Sequence, residues 1–173
     1  MEHTDLFKLD GHWIGIAVSP KGVSQVILPA RSKREAQRRL AKLRTTVSAS
    51  LSDARAKRLL ATARREIAEY FAGRRKTFTI PMDLAAGSPF QRRVWRVASR
   101  IPYGRVRTYQ WVARRVGGKQ YARAVGTALG ANCVPLVIPC HRVIAHDGSL
   151  GGFTGGLPLK RRLLALEGVK LAS

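Results

Sequence analysis

The sequence has few acidic residues, almost no cysteine and no long apolar segment. It holds 10 Asp and Glu residues against 32 Lys and Arg residues in a chain of 173, which gives a formal net charge of +22. A chain this basic repels itself when it is compact, and it is typical of proteins that bind a polyanion, nucleic acid first and an anionic membrane surface second. The apolar fraction of 45% excludes a disordered or collagen-like protein.

The absence of long apolar segments argues against a membrane protein. The longest uncharged run, residues 124–140, covers 17 residues and is interrupted by Asn132, Pro135 and Pro139, whereas a spanning helix needs about 20 apolar residues. The N-terminus carries acids and no apolar block, so it does not predict a secretory signal. Two cysteines do not make a disulfide framework. We therefore expect a protein of the reducing cytoplasm, associated with the nucleoid if the host is prokaryotic.

The scarcity of acids divides the chain into two predicted domains. Residues 1–87 hold 17 basic and 8 acidic side chains, a net charge of +9. Residues 88–173 hold 15 basic and 2 acidic side chains, a net charge of +13. The two acids of the second half are Asp147 and Glu167. The patterns predict a small α/β domain followed by a mainly helical one.

The first domain reads as strands followed by helices. Alternating apolar residues predict a hairpin of strands 12–18 and 23–28. Ser32 and Ser52 are candidate N-caps for basic helices over about 33–48 and 53–72, and residues 77–80 suggest an edge strand. No catalytic motif is visible in this half.

The second domain comes close to the spacing of a helix-turn-helix. Ala113, Gly117 and Val125 lie near the positions of its small residue, turn glycine and core aliphatic residue, although Val125 comes slightly late for the tightest version of the motif. Ser88 and Pro89 predict the start of a helix whose apolar face extends to Ile101. Two short helices, 108–116 and about 120–131, follow, and a last one covers 160–166. The helix over 120–131 is rich in Ala and Gly, so its backbone either lies shallowly in an opened minor groove or packs tightly inside its own domain.

The chemistry of the chain concentrates around Cys140. Cys140 follows an apolar segment bounded by prolines, residues 135–139, and directly precedes His141 and Arg142. A basic setting lowers the pKa of a thiol, and the thiolate is the nucleophile. A buried, inert cysteine is the alternative. Glu167 has two possible roles. It either orients His141, as the third residue of a catalytic triad orients the base, or forms an ordinary salt bridge at a helix end.

Two other site types are disfavoured by spacing. Cys133, Cys140, His141 and His146 spell C-x6-C-H-x4-H, which matches no trusted structural zinc pattern, so no metal is predicted. The glycine-rich loop 148–156 lacks the Gly-Lys-Ser/Thr ending of a nucleotide P-loop. The loop is better suited to form a flexible wall that closes over a flat substrate.

The segment Ile138-Pro139-Cys140-His141-Arg142-Val143-Ile144 resembles the active-site signature of the O6-alkylguanine-DNA alkyltransferases, the methylated-DNA–protein-cysteine methyltransferases. The resemblance extends over about 80 residues. Its matching segments are 90–94, 101–104, 108–110, 122–126, 132–135, 151–153 and 163–168. The first 87 residues resemble the family in layout only.

The resemblance implies a fold and an activity. The fold would be α/β (α+β), with a small ribonuclease-H-like α/β domain followed by a mainly helical domain with a winged helix-turn-helix-like motif. The activity would be irreversible, single-turnover transfer of an alkyl group from O6 of guanine in DNA to Cys140, with O4-alkylthymine open as a second substrate. The protein would bind double-stranded DNA in the minor groove as a monomer, extrude the damaged base and use no cofactor.

Catalytic roles follow from the resemblance position by position. Cys140 would accept the alkyl group, His141 would deprotonate it through a water, and Glu167 would hold His141. Asn132 would brace the active-site loop.

DNA-binding roles follow in the same way. Arg123 would replace the extruded base, and Tyr109 would press on the phosphate and help protonate the departing guanine. The remaining residues implied in the base pocket or at the DNA are Val143, Thr154, Phe153, Gly126 and Leu129.

Three positions depart from the family pattern. Phe153 stands where many members have Tyr, Thr154 replaces the usual Ser, and Cys133 stands where Pro is frequent. Some members bind zinc in the first domain through cysteine, but this chain has no cysteine before Cys133.

Two other functions remain alternatives. A non-catalytic lesion-binding protein of the alkyltransferase-like class would lack the acceptor, and Cys140 argues against it. A helix-turn-helix regulator would read the major groove, and the lack of polar base-reading side chains on the helix over 120–131 argues against it.

Overall fold

The computed structural model describes residues 3–42 and 51–170. The chain divides into two compact units, Met1–Ala86 and Gly87–Ser173. The first is built around an antiparallel sheet and the second is mainly helical, so the predicted α+β class is confirmed. Over the described ranges, no helix is both long and apolar enough to cross a membrane.

The sheet of the first unit is a three-stranded antiparallel meander. Its strands are β1 (His3–Leu9), β2 (His12–Ser19) and β3 (Gly22–Ala30), in that order. The predicted hairpin is therefore confirmed as β2 and β3, whereas β1 was not predicted. Asp10 and Gly11 join β1 to β2 with φ values of 48° and 80°, the positive values that a two-residue Asp-Gly hairpin turn requires.

Two helices pack against this sheet, α1 (Lys33–Lys42) and α2 (Asp53–Phe71). Ser32 caps α1, since its Oγ accepts from the N–H of Glu35 at 3.1 Å. Ser52 occupies the N-cap position of α2 without a side-chain cap bond to any described residue. The last residues of the predicted 33–48 helix, 43–48, lie outside the described residues.

The edge strand predicted over 77–80 is wrong, because a buried carboxylate takes its backbone donors. Glu66 of α2 is fully buried and accepts from the N–H groups of Thr79 at 2.9 Å and Ile80 at 3.4 Å, and from the Thr79 hydroxyl. Instead, the residues that follow contact the sheet through an isolated parallel bridge from Val23 to Met82 and through Asp83, which accepts from the Ser19 hydroxyl at 2.6 Å.

Over residues 87–170, the second unit holds four α-helices and a two-stranded parallel sheet. The helices are α3 (Pro89–Ala98), α4 (Tyr109–Val116), α5 (Ala122–Gly130) and α6 (Leu157–Leu166), and the strands are β4 (Arg107–Thr108) and β5 (Val143–Ile144). Helices α3, α4 and α5 pack on one another. Short 3-10 turns, Lys119–Tyr121 and Cys140–Arg142, precede α5 and β5.

Local signals set the helix starts of this unit. Ser88 forms the predicted cap of α3, and with Gln91 it makes a complete capping box. Trp95 is buried on α3, and its indole N–H donates to the carbonyl of Ala128 at 2.8 Å, which ties α3 to α5. The observed α3 ends at Ala98 rather than near Ile101, and α6 begins at Leu157, before the predicted Lys160.

Gly22→Ala should destabilise the first unit more than Gly11→Ala. Both glycines have positive φ, 140° and 80°, so each substitution brings a backbone penalty of about 1–3 kcal/mol. A Cβ at Gly22 would lie 2.2 Å from the carbonyl oxygen of Pro81, whereas one at Gly11 would meet nothing within 4 Å. Overpacking should therefore add about 1–3 kcal/mol at Gly22 alone.

Urea denaturation of the two variants measures this difference. Equal losses of unfolding free energy would contradict the close approach of Pro81 to Gly22.

Candidate active site

Cys140 is held by a braced turn at the end of an apolar segment. Asn132 braces that turn, because its Oδ1 accepts from the N–H of Val134 at 3.0 Å and its Nδ2 donates to the carbonyl of Ile138 at 3.0 Å. The same Nδ2 donates to Sγ of Cys140 at 3.1 Å. The structure therefore brings Asn132 and Cys140 together, and one amide both fixes the loop and contacts the thiol.

A buried polar cluster lies directly after the thiol in the chain. Nε2 of His141 lies 2.8 Å from Oε1 of Glu167, and both side chains are fully buried. Arg142 donates to the same carboxylate through Nε, at 2.9 Å and 3.1 Å, and through Nη2 at 2.9 Å. The N–H of Gly104 donates to Oε2 at 3.0 Å. Glu167 thus contacts His141, and it also balances the charge of Arg142.

A cavity of about 670 Å³ opens beside Cys140. Seven residues expected at the site line it together, namely Cys140, Tyr109, Arg123, Gly126, Leu129, Phe153 and Thr154. Residues to which the resemblance assigned no role complete the wall, among them Gln110, Thr127, Ala145 and His146. Cys140 is 7% exposed, so the cavity is the route by which a reactant reaches the sulfur.

The glycine-rich loop forms one wall of this cavity and is tied to two helices. The hydroxyl of Tyr109, at the start of α4, donates to the carbonyl of Gly152 at 3.3 Å. The hydroxyl of Thr154 donates to the carbonyl of Gly130, at the end of α5, at 2.8 Å.

Val143 does not line the cavity, in contrast to the expectation from sequence. It is fully buried in β5, where it pairs with Arg107 of β4. The strand that follows the Cys140–Arg142 turn therefore places this side chain in the core and leaves its carbonyl for another partner.

That partner is Lys160, which sequence reasoning missed. The Lys160 ammonium is fully buried and donates to the carbonyls of Val143 at 2.6 Å, Leu150 at 2.5 Å and Gly152 at 3.3 Å. Nζ also lies 5.9 Å from the centroid of the Tyr109 ring. Burial lowers the pKa of Lys160 to about 8, while the nearby Cys140 acts in the opposite direction. One cation thus joins β5 to the glycine-rich loop beside the thiol.

A sequence signal for Lys160 existed. Lys160, Leu163, Leu164 and Glu167 follow the i, i+3, i+4, i+7 spacing of one helix face, and all four are buried. A lysine on a buried face is unusual and marks a position that needs partners.

The expected lowering of the Cys140 pKa is wrong for the protein without substrate. Burial raises the pKa of the Cys140 thiol, against the hydrogen bond from Asn132, the charge of Lys160 and the backbone N–H groups of Cys140 and His141. The basic neighbour in sequence, Arg142, does not supply the expected effect because its guanidinium is occupied by Glu167. The resting thiol is therefore protonated at neutral pH.

His141 is suited to take that proton. Burial lowers the pKa of its imidazole, and the contact with Glu167 opposes this shift without reversing it. The ring is therefore neutral at pH 7, and a neutral imidazole can accept a proton while Glu167 fixes its orientation.

The described residues of this site do not form a set of metal ligands. Across residues 3–42 and 51–170, no group of three or more His, Cys, Asp and Glu side chains is arranged to hold a metal ion. Cys133 is half-buried and Cys140 buried, and both are thiols rather than a disulfide.

A family model and the sequences of known proteins both relate this chain to methyltransferases that act on methylated DNA. Residues 89–169 match the family described as 6-O-methylguanine DNA methyltransferase, DNA binding domain. A methylated-DNA–protein-cysteine methyltransferase of Mycolicibacterium paratuberculosis is 50% identical over 110 residues, which cover 64% of this chain and 66%, just under two thirds, of that relative.

Solved structures match nearly the whole chain. The O6-methylguanine methyltransferase of Mycobacterium tuberculosis has a TM-score of 0.72 and 30% identity, covering 96% of this chain and 93% of its own. The M. tuberculosis OGT in complex with DNA has a TM-score of 0.75 and 30% identity, covering 95% and 92%. The resemblance expected from the Cys140 segment is thus confirmed, and the chain belongs to the O6-methylguanine-DNA methyltransferase family.

Proposed function

We propose that this protein repairs O6-alkylguanine in DNA by transferring the alkyl group irreversibly to Cys140, as a methylated-DNA–[protein]-cysteine S-methyltransferase. The observation that carries the proposal is the position of the thiol. It lies at the wall of a 670 Å³ cavity, with the Asn132 amide at 3.1 Å. His141 follows it directly in the chain and contacts Glu167 at 2.8 Å. The names of the relatives supply the substrate class.

The proposed transfer is a displacement at the alkyl carbon. The thiol of Cys140 gives its proton to His141 through a water, the thiolate attacks the carbon, and the bond from that carbon to O6 breaks. Guanine leaves with the bonding electrons and takes a proton at a ring nitrogen, for which the Tyr109 hydroxyl is the donor at the cavity wall. The sulfur–carbon bond is not reversed by the protein, so each molecule acts once.

The reaction requires the base to leave the duplex. The O6 substituent of a stacked guanine is out of reach of a thiolate in a cavity, so the nucleotide must be extruded. Arg123 stands exposed in the first turn of α5 and lines the cavity mouth. We assign it to the space that the base vacates, with the small-residue helix α5 in the minor groove. Gly126 and Leu129 of α5 line the same cavity.

Lys160 is assigned a positioning role. Its charge lies close enough to Cys140 to stabilise the thiolate, and its three carbonyl contacts hold the glycine-rich loop against β5. It acts through the thiol and the loop rather than on the alkyl group.

Double-stranded DNA is the proposed partner, and one copy of the chain is the proposed working unit. The residues that line the cavity all belong to the unit Gly87–Ser173. The net charge of +13 over residues 88–173 suits the phosphate backbone. A location in the cytoplasm, at the nucleoid, agrees with a DNA substrate and with an acceptor that must remain a thiol.

Peptide mapping after reaction tests the proposal. Incubation with a duplex that carries one O6-methylguanine should add one methyl group to the Cys140 peptide, with no metal or cofactor supplied. Cys133 should remain unmodified, and Cys140→Ser should bind the lesion without transfer. A methyl group on Cys133 would contradict the proposed acceptor.

Arg123→Ala should slow repair of duplex DNA and spare attack on a free-base analogue such as O6-benzylguanine. Extruding a base from the stack costs a few kcal/mol. A side chain that fills the vacated space offsets this cost, so it affects repair of the duplex and not of the free base. Single-turnover rates on the two substrates measure the effect. Equal losses on both substrates would rule out the role assigned to Arg123.

Lys160→Met should shift the pH profile of Cys140 alkylation by the free base to higher pH. The thiolate loses a nearby cation, and each unit of pKa increase lowers the thiolate fraction about tenfold at a fixed pH. Since the pKa of Lys160 is about 8, the difference from the wild type should be largest below pH 8 and should shrink above it. Lys119→Met, at an exposed lysine, is the matched control and should leave the profile in place. A profile of Lys160→Met that coincides with the wild type would contradict the electrostatic role.

A further inference from the structure

The solvent-facing side of α4 begins at the wall of the cavity and is basic. The buried residues of this helix are Val112 and Ala113. With 3.6 residues per turn, the opposite side carries Gln110, Trp111, Arg114 and Arg115, which together are called here the outer face of α4. Gln110 lines the cavity, and Arg114 follows it on the same side, one turn later. The outer face therefore extends from the cavity wall along the helix.

Two guanidinium groups lie against the indole ring of Trp111. That of Arg115 is 3.6 Å from the ring centroid, a stacking distance, and its Nη1 donates to the Trp111 carbonyl at 3.3 Å. That of Arg107, just before α4, is 5.3 Å from the same centroid, and its Nη1 donates to the carbonyl of Val106 at 2.9 Å. A guanidinium has five N–H donors, so these contacts fix both groups and leave most of their donors for another acceptor.

No carboxylate of a described residue neutralises these arginines. Over residues 3–42 and 51–170, none forms an ion pair with Arg107, Arg114 or Arg115. The two acids of residues 87–173 are Asp147 and Glu167, and the buried Glu167 is held by His141 and Arg142. Guanidinium groups that are fixed before a ligand arrives lower the entropic cost of binding it. Their charge favours an anionic partner, and their planar donors match a phosphate group.

We infer that the outer face of α4 binds the phosphate backbone of DNA beside the cavity, with Trp111 as the platform that holds Arg115 and Arg107. In a helix-turn-helix, the first helix crosses the backbone while the second enters a groove, and α4 precedes α5, the helix assigned to the groove. Phosphate contacts carry no sequence information, so this site would set the affinity for any duplex. The inference rests on the proposed function, because it takes DNA as the partner at α5.

The salt dependence of binding to an undamaged duplex tests the phosphate contact. Each contact that is lost lowers the slope of log affinity against log salt concentration by about 0.9. When salt is diluted tenfold, Arg115→Gln should therefore gain about eightfold less affinity than the wild type. Arg100→Gln removes the same charge from an exposed position after α3. It is the matched control and should keep the wild-type slope.

Two further variants test the platform separately from the charge. Arg115→Lys keeps the positive charge but loses the planar group that stacks on the indole, and Trp111→Leu keeps both arginines but removes the ring. At constant salt, each should bind the undamaged duplex about two- to fivefold more weakly, the change that corresponds to one exposed cation–π contact. Both should keep a slope close to that of the wild type. Urea denaturation of each variant verifies that it is folded.

Three results would overturn the inference. A wild-type slope for Arg115→Gln would mean that no phosphate lies at this arginine. An equal decrease for Arg100→Gln would mean that net charge, rather than the outer face of α4, sets the binding. Wild-type affinity of Arg115→Lys would remove the role of the Trp111 platform.

The choice of duplex separates this inference from the proposed chemistry. Undamaged DNA offers no alkyl group, so the binding measurements do not depend on transfer to Cys140. Failure of the wild-type protein to methylate Cys140 would overturn the proposed function and leave the measurements on α4 valid. Unchanged binding by Arg115→Gln would overturn the inference even if the wild-type protein repairs O6-methylguanine.

Discussion

The carboxylate of Glu167 is the constraint on which the site depends. It accepts from Arg142 and from the N–H of Gly104, and it lies 2.8 Å from Nε2 of His141. These partners come from the loop after α3 and from the Cys140–Arg142 turn, while Glu167 itself ends α6. One anion thus joins three segments that are far apart in sequence. Removing it would leave the Arg142 charge buried and unpaired, which typically costs 3–5 kcal/mol.

This arrangement is consistent with the proposed role of Cys140 as a buried thiol that reacts once. Burial raises the pKa of the Cys140 thiol, which protects it from oxidation, because the thiolate is the form that oxidants attack. Asn132 at 3.1 Å and Lys160 limit that increase, and the neutral His141 ring is the proposed acceptor of the proton. Under the proposed function, the thiolate forms only when a substrate fills the cavity.

The sequence predicted those features that depend on neighbouring residues. The β2–β3 hairpin follows from alternation, and the start of α3 follows from Ser88 and Pro89. The sequence left two roles open for Glu167, a contact with His141 or a salt bridge. The structure contains both, because His141 and Arg142 share the carboxylate.

Features that depend on distant partners were missed. Residues 77–80 carry strand-forming side chains, but Glu66 takes their backbone donors. The pKa of Cys140 was predicted from its sequence neighbour Arg142, although that guanidinium faces Glu167. Lys160 lies on the buried face of α6, and its three carbonyl partners come from β5 and the glycine-rich loop. Spacing on α6 marked Lys160 as a buried position, but only the folded chain brings these groups to their partners, so composition and spacing could not identify the partners.

The most direct test of the account is the number of methyl groups removed by each protein molecule when methylated DNA is in large excess. If Cys140 is a single-use acceptor, the loss of O6-methylguanine should stop at one equivalent of active protein, and fresh protein should restart it. Continued repair beyond one equivalent would mean that the alkyl group does not stay on the thiol, and it would contradict the central claim.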